Sequence, residues 1–303
     1  MILLLALMLA VFEISGITIM NCKKITNFCA ALMLTLLSPL TLAQFAPEPS
    51  DLSLIELADD LYVIYNPFVP GNVTVLLTDD GVIMVDNKFA WDYDNMMALL
   101  GTITDQPVKY VINTHYHGDH SGGNPRAQAD GTVVVASENA RRKMIEASQP
   151  GLPDITLDEH AFVHLGGKVA EVFRFGRAHT DGDVVVYFPE HRVLATGDMF
   201  TNGDDVPQLI DYSGGGSARA WTQTLDSVLM LDFDTVVPGH GPVTNKATLA
   251  AFREVTIQTR IRTREMIAAG ASADDIAQML RNEFHWGDLQ LGRGLNGLIA
   301  EMQ

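Results

Sequence analysis

Downstream of residue 53 the chain alternates short apolar runs with polar breaks, and the spacing within each run predicts its element. Residues 54–58, 61–65, 73–78 and 82–86 are aliphatic or β-branched and are cut by Asp, Gly and Pro, so they read as strands. Asp79-Asp80-Gly81 is a hairpin turn between the last two. Residues 92–104 have helical spacing, with Met96, Met97, Leu99 and Leu100 on one broad face. Strands follow at 108–112 and 132–136, then a helix over 138–147 capped by Ser137. The second half repeats the style. Strands are predicted at 163–165, 168–175, 184–188, 193–195 and 235–237. Helices are predicted at 218–231, capped by Ser217, at 248–269, and at 273–284, capped by Ser272. Strand, helix and strand in succession imply parallel pairing in part of the sheet. Sheet sequences facing helices in both halves predict two βα layers packed face to face.

The front of the chain has a different pattern. Two apolar runs, 1–12 and 28–42, flank Lys23 and Lys24. Residues 20–44 alone have the parts of a secretory signal: a basic start at Met20, an apolar centre, and Thr41-Leu42-Ala43 as a small-residue cleavage site before Gln44. The second run is shorter than the ~20 residues of a membrane span. The expectation is a signal peptide over 1–43, with initiation at Met20 and a mature chain from Gln44. A retained membrane anchor is the rival. Both cysteines, Cys22 and Cys29, fall in the leader, so the mature chain offers neither a disulfide nor a thiolate ligand. A periplasmic or secreted protein with no stable membrane anchor after cleavage is expected.

The remaining 260 residues suffice for one large domain. They carry 18 basic and 36 acidic residues. Such an excess repels nucleic-acid backbones and anionic lipid, so neither is an expected partner; the expected partner is a small-molecule substrate. The oligomeric state is not readable. Asn66-Pro67-Phe68-Val69-Pro70-Gly71 reads as a turn with apolar residues at its tip, and Phe68 is its candidate contact as a flap over a site.

Candidate chemistry concentrates in residues 111–120. His115, His117, Asp119 and His120 lie within six positions, straight after a strand. Imidazole and carboxylate suit a borderline divalent ion such as zinc. His115 and His117 are two apart and leave an extended loop on the same side. Further ligands should sit at other strand ends. Three such ends carry a His or Asp beside glycine: His179 in 178–183, Asp198 after Gly197, and His240 between Gly239 and Gly241. Asp86 is a candidate to orient a ligand imidazole from behind. Trp91, just beyond that strand end, is a candidate for the site's edge. His160, His164, His191 and His285 lack partners at ligand spacing.

The order H-x-H-x-D-H, then His, then Asp, then Gly-His resembles the metallo-β-lactamase superfamily of hydrolases, over residues 54–242. The resemblance implies an α+β fold, a four-layer αββα sandwich with metals at one edge of two packed sheets. It implies one zinc on His115, His117 and His179 and a second on Asp119, His120 and His240. Asp198 would bridge the two zincs. A bridging hydroxide, oriented by Asp119, would attack the substrate. Iron or manganese also suits this ligand set.

The text around His179 looks like that of the β-lactam-hydrolysing members, which makes β-lactam ring opening the leading expectation. Asp198 stands where several of those carry cysteine or serine, and a bridging Asp is similar to glyoxalase II and lactonases. An ester, lactone or thioester hydrolase is therefore the alternative. A periplasmic metal-binding protein without turnover is a second. The lysine with which some β-lactamases hold the drug carboxylate has no counterpart, since Thr201 and Asn202 occupy its neighbourhood. Asn202, Tyr212, Ser213 and Arg219 are the candidate replacements.

Overall fold

In the computed structural model, residues 48–67, 69–203 and 208–303 are described. The leader expected over 1–43 and the flap residue Phe68 lie outside them.

Seven strands pair in chain order to form one sheet: β1 (Ser53–Ala58), β2 (Leu61–Tyr65), β3 (Val73–Thr78), β4 (Gly81–Val85), β5 (Val108–Ile112), β6 (Val133–Ser137) and β7 (Ile155–Leu157). The first four pair antiparallel in succession; β4 through β7 run parallel. The crossovers that parallel strands require are α1 (Tyr93–Leu100) from β4 to β5, α2 (Gly118–Ser121) and α3 (Asn124–Ala129) from β5 to β6, and α4 (Glu138–Glu146) from β6 to β7. Ser137 caps α4 as expected, its hydroxyl accepting from Ala140 N.

The second sheet has the order β13-β12-β11-β10-β9-β8. Its strands are β8 (His160–Leu165), β9 (Lys168–Phe173), β10 (Val185–Phe188), β11 (Val193–Ala195), β12 (Thr235–Val237) and β13 (Thr244–Asn245). Only β11 and β12 are parallel, with α5 (Ala218–Val228) between them. Three helices follow: α6 (Lys246–Ala268), α7 (Ala273–Phe284) and α8 (Asp288–Met302). Ser217 and Ser272 cap α5 and α7 as expected.

Period-2 alternation sorts the apolar residues into three cores. Leu61, Val63, Ile83 and Val85 of the first sheet meet Val172, Val186, Phe188 and Val193 of the second. The opposite face of the first sheet, with Ile64, Val75, Val82 and Met84, packs on Tyr93, Met96 and Leu100 of α1. The opposite face of the second, with Val185, Leu194 and Val236, packs on Trp221, Leu225 and Val228 of α5 and on α6 to α8. Three apolar seams between four layers are the predicted αββα sandwich.

Five elements were not anticipated: β7, β13, α2, α3 and α8. The first four have at most six residues, too short for a periodic signal. α8 contains Gly292, Gly294 and Gly297, and each interior glycine costs a helix about 1 kcal/mol relative to alanine. Packing requires one of them and favours another. A Cβ on Gly297 would stand 2.2 Å from the Tyr212 ring, and one on Gly294 would stand 3.0 Å from the Trp286 ring.

Candidate metal centre

Five strand ends deliver the site, His179 coming from the loop between β9 and β10. β4 and β5 are adjacent and parallel, with Val85 opposite Ile112, so Asp86 emerges beside Asn113 and Thr114. Thr114 donates to the Asp86 carboxylate twice, from N at 2.7 Å and from Oγ1 at 2.8 Å. The chain then runs through His115 and His117 into α2, which carries Asp119 and His120. β11 and β12 are also adjacent and parallel, with Ala195 opposite Val237, so the turns bearing Asp198 and His240 leave the sheet together. Gly239 N bonds Gly197 O at 2.9 Å, and a Cβ at Gly239 would meet Asp198 Oδ1 at 2.1 Å. Only glycine permits that approach. Gly197, at φ +50°, turns the chain against Thr114.

The seven predicted donors converge in two sets. His115, His117, His179 and Asp198 form one, and Asp119, His120 and His240 the other. In the first, His117 Nδ1 is 3.0 Å from His179 Nε2, and Asp198 Oδ2 is 3.6 Å from His179 Nε2 and 3.8 Å from His115 Nε2. In the second, His120 Nε2 is 3.3 Å from His240 Nε2, and Asp119 Oδ2 is 3.2 Å from His240 Nε2. Asp198 Oδ1 faces this second set, at 3.1 Å from His120 and 3.3 Å from His240. One carboxylate thus presents one oxygen to each set. Donors held at zinc-ligand distances around a tetrahedral ion stand about 3.4 Å apart, so these spacings fit a metal in each.

Proton placement supports the fit. Three imidazoles have their outward nitrogen on an acceptor. His120 Nδ1 donates to Asp86 at 2.8 Å, His179 Nδ1 to Leu209 O at 2.7 Å, and His117 Nε2 to Asp211 at 2.9 Å. In the neutral ring each therefore turns its lone pair inward. His115 Nδ1 lies 3.1 Å from Thr114 Oγ1, and its inward Nε2 is buried without a hydrogen-bond partner. Lone pairs facing one another at 3.0 Å, as in His117 and His179, repel unless a cation sits between them. Ligand histidines are oriented in this way from their outer nitrogen.

Charge differs between the sets. Burial holds His115 well below the usual imidazole range, aided by the neighbouring His120. Burial likewise lowers His179 to about 4, against the pull of Asp198. Both are neutral donors at pH 7. Burial also disfavours charge on His240 and His120, but there the carboxylates prevail. Asp198 and Asp119 lift His240 to about 10, and Asp198, Asp119 and Asp86 raise His120 well above its usual value. An ion entering the second set displaces these protons, so its affinity rises with pH.

A cavity of about 330 Å³ opens onto the donors. Its lining includes His117, Asp119, Asp198 and His240 at the floor, and Val69, Phe89, Leu209 and Leu289 as apolar walls. Trp91 stacks on Phe89 with centroids 4.3 Å apart, and so reaches the edge through its neighbour. Asp86 stands behind His120, where the sequence suggested it. The four suggested anchors lie elsewhere. Asn202 Nδ2 donates to Pro242 O at 2.7 Å, in a separate cavity beside Phe252 and Trp286. Tyr212 donates its hydroxyl to Glu301 at 2.7 Å, and Arg219 donates to the Glu301 carbonyl. Ser213 donates to Asp211 at 2.5 Å. None of the four lines the cavity over the metal donors.

Sequence reasoning missed Asp211, Leu289, Gln290 and Arg293. Asp211 accepts from Tyr116, His117, Ser213 and Gly214 N, but it sits 94 residues from the histidine it orients. No local spacing announces it. The other three come from α8, whose pattern reads as packing.

The sandwich and the two donor sets define a metal-dependent hydrolase with a dimetal site. The model of the metallo-β-lactamase superfamily matches residues 66–240, more than half the chain, and the protein belongs to that superfamily. The type 2 metallo-β-lactamase of Elizabethkingia meningoseptica is 26% identical over 207 residues, covering 65% of this chain and 81% of its own. That of Bacillus cereus is 28% identical over 193 residues, covering 60% and 71%. A solved metallo-β-lactamase from Pontibacter korlensis shares the fold with a TM-score of 0.62 at 24% identity, over 68% of this chain and 99% of that one.

Proposed function

We propose that the protein is an exported dinuclear zinc hydrolase that opens β-lactam rings. The observation that carries the hydrolase reading is the division of Asp198 between two sets of inward-facing donors beneath an apolar-walled cavity. Its relatives named type 2 metallo-β-lactamases support the choice of substrate. Zinc is favoured by neutral imidazole and carboxylate donors without thiolate.

Two bound zinc ions would supply an acidified water and a Lewis acid for the acyl oxygen. His115, His117 and His179 would hold one, Asp119, His120 and His240 the other, and Asp198 both. Asp86, Asp211 and Leu209 O fix the tautomers that make this possible. Asp119 is one-fifth exposed and faces the cavity. Although burial opposes it, His120 and His240 keep its carboxyl ionised far below neutrality. It is therefore the acceptor placed to orient the attacking water. Val69, Phe89, Leu209 and Leu289 shed water as they take up the apolar part of the substrate.

A second reading, hydrolysis of an ester, lactone or thioester, is favoured by Asp198 at the bridging position, which the sequence likens to glyoxalase II and lactonases. A substrate panel on protein of measured metal content separates the two. Turnover of a chromogenic cephalosporin supports the first; turnover confined to lactones, aryl esters or thioesters rejects it. No turnover by protein holding two zinc equivalents would leave a metal-binding role.

A further inference from the structure

α8 lies outside the segment 66–240 that defines the family, yet it supplies Leu289, Gln290 and Arg293 to the cavity over the metal donors. It is firmly seated. The Glu301 carboxylate near its end accepts from the Ser217 and Tyr212 hydroxyls, and the Glu301 carbonyl accepts from Arg219. Gly294 and Gly297 bring its backbone onto Ile210, Trp286 and Tyr212. These contacts tie α8 to the stretch whose Leu209 carbonyl and Asp211 carboxylate orient His179 and His117. The backbone at Arg293 is thereby held in place, with its exposed side chain at the cavity.

Among the described residues, Arg293 is the one lysine or arginine lining this cavity. Among the described residues its guanidinium makes no hydrogen bond or ion pair. Its neighbours on the rim are committed. Gln290 Oε1 accepts from Gly287 N at 3.1 Å, and the Asp211 carboxylate is saturated by four donors. The deeper Lys88 is fully buried and donates to Gly71 O at 2.7 Å. In a chain of net charge −17, one unspent guanidinium at the mouth of the site is a local exception that an anionic group can find. The planar fork of arginine matches a carboxylate with two parallel hydrogen bonds.

We propose that Arg293 binds a carboxylate of the substrate, so that the enzyme selects acyl compounds bearing an anionic group beyond the scissile bond and an apolar body against Val69, Phe89 and Leu289. The proposal rests on the hydrolase reading. It assigns to the C-terminal helix the task that the sequence suggested for Asn202, Tyr212, Ser213 or Arg219.

The test compares wild type, R293A and R293K on a chromogenic cephalosporin and on its methyl ester, with thermal unfolding as a folding control. R293A is expected to raise KM for the free acid roughly 10- to 100-fold. It should leave kcat, and KM for the ester, within about twofold, while R293K recovers part of the loss as a point charge without the fork. Equal effects on acid and ester, or no effect on either, overturn the anchor. If wild type turns over no β-lactam, the β-lactam reading falls by itself, and 4-nitrophenyl hemiglutarate against 4-nitrophenyl acetate replaces the pair. A loss confined to the hemiester then upholds Arg293; an unchanged ratio overturns it. Calorimetric binding of both members of the pair to metal-stripped protein gives a readout free of turnover. There the acid should lose affinity in R293A and the ester should not, and equal losses overturn the anchor.

Discussion

Replacement of Asp86 by asparagine tests whether imidazole tautomers decide metal occupancy. The Asp86 carboxylate is 2% exposed and accepts from Thr114 N, Thr114 Oγ1 and His120 Nδ1 at 2.7–2.8 Å. Burial pushes its pKa up, against the pull of His120, and the three donors all favour the ionised form. Asparagine keeps the volume and tolerates φ +66°, a region where Asp and Asn are enriched among non-glycine residues. Its oxygen can still accept from Thr114 N, but its amide group faces the other donors. His120 then reverses its tautomer and carries its proton on Nε2, where the inward lone pair stood. Loss of one charge-assisted hydrogen bond costs about 1.5–3 kcal/mol of stability. Removing an outer partner weakens metal binding about 10- to 100-fold, here confined to the Asp119, His120 and His240 set. D86A is the harsher control. It strands all three donors and costs about 3–5 kcal/mol, as when one partner of a buried pair is deleted. After dialysis against a weak chelator, elemental analysis should find two metal equivalents in wild type and about one in D86N, with the melting temperature moderately lowered. If D86N keeps both equivalents at wild-type affinity, or loses both in parallel, the tautomer reasoning is wrong.

Further expectations concern close packing and buried charge. In G71A the new Cβ would stand 2.2 Å from the His120 ring; second-set metal affinity and stability should both fall, the latter by about 1–3 kcal/mol as for other overpacked sites, read by metal titration and urea unfolding. G297A sets helix propensity against packing. Alanine should gain about 1 kcal/mol in an open helix, but the Tyr212 ring 2.2 Å away reverses the sign, so a raised melting temperature would refute the seating of α8. Burial lifts Asp183, against its bonds from Thr180, from 3.8 to about 7. Between those values the folded protein binds one proton more than the unfolded chain, so this group's stabilisation is complete below pH 4 and is lost as pH rises towards 7. The upper bound is on the order of 4 kcal/mol. Relative to wild type, D183N should therefore gain stability from pH 5 to pH 8 in urea titrations, and a constant difference would contradict the assignment.

How much of this was legible beforehand varies with the distance over which each feature is decided. The strands 61–65, 73–78, 108–112 and 235–237 and the caps Ser137, Ser217 and Ser272 were legible because period-2 alternation and capping are local effects. The seven donors were legible because metal coordination concentrates rare residue types at strand ends beside glycine. Asp86 was legible only as a carboxylate at a strand end.

The rest depends on contacts between remote segments. Register between parallel neighbours, Val85 with Ile112 and Ala195 with Val237, placed Asp86 behind His120 and Asp198 beside His240. Asp211 reaches His117 across 94 residues, and sequence spacing carries no information on such a pair. α8 is formed because its glycines fit against Tyr212 and Trp286, a gain that exists only once those rings are in place. The sandwich and the candidate metal donors could be read ahead of folding, since apolar periodicity and ligand chemistry are written in neighbouring residues. Packing between remote segments decided which nitrogen each imidazole turns inward and which cation stands at the mouth, because both depend on side chains that meet only after the chain has folded.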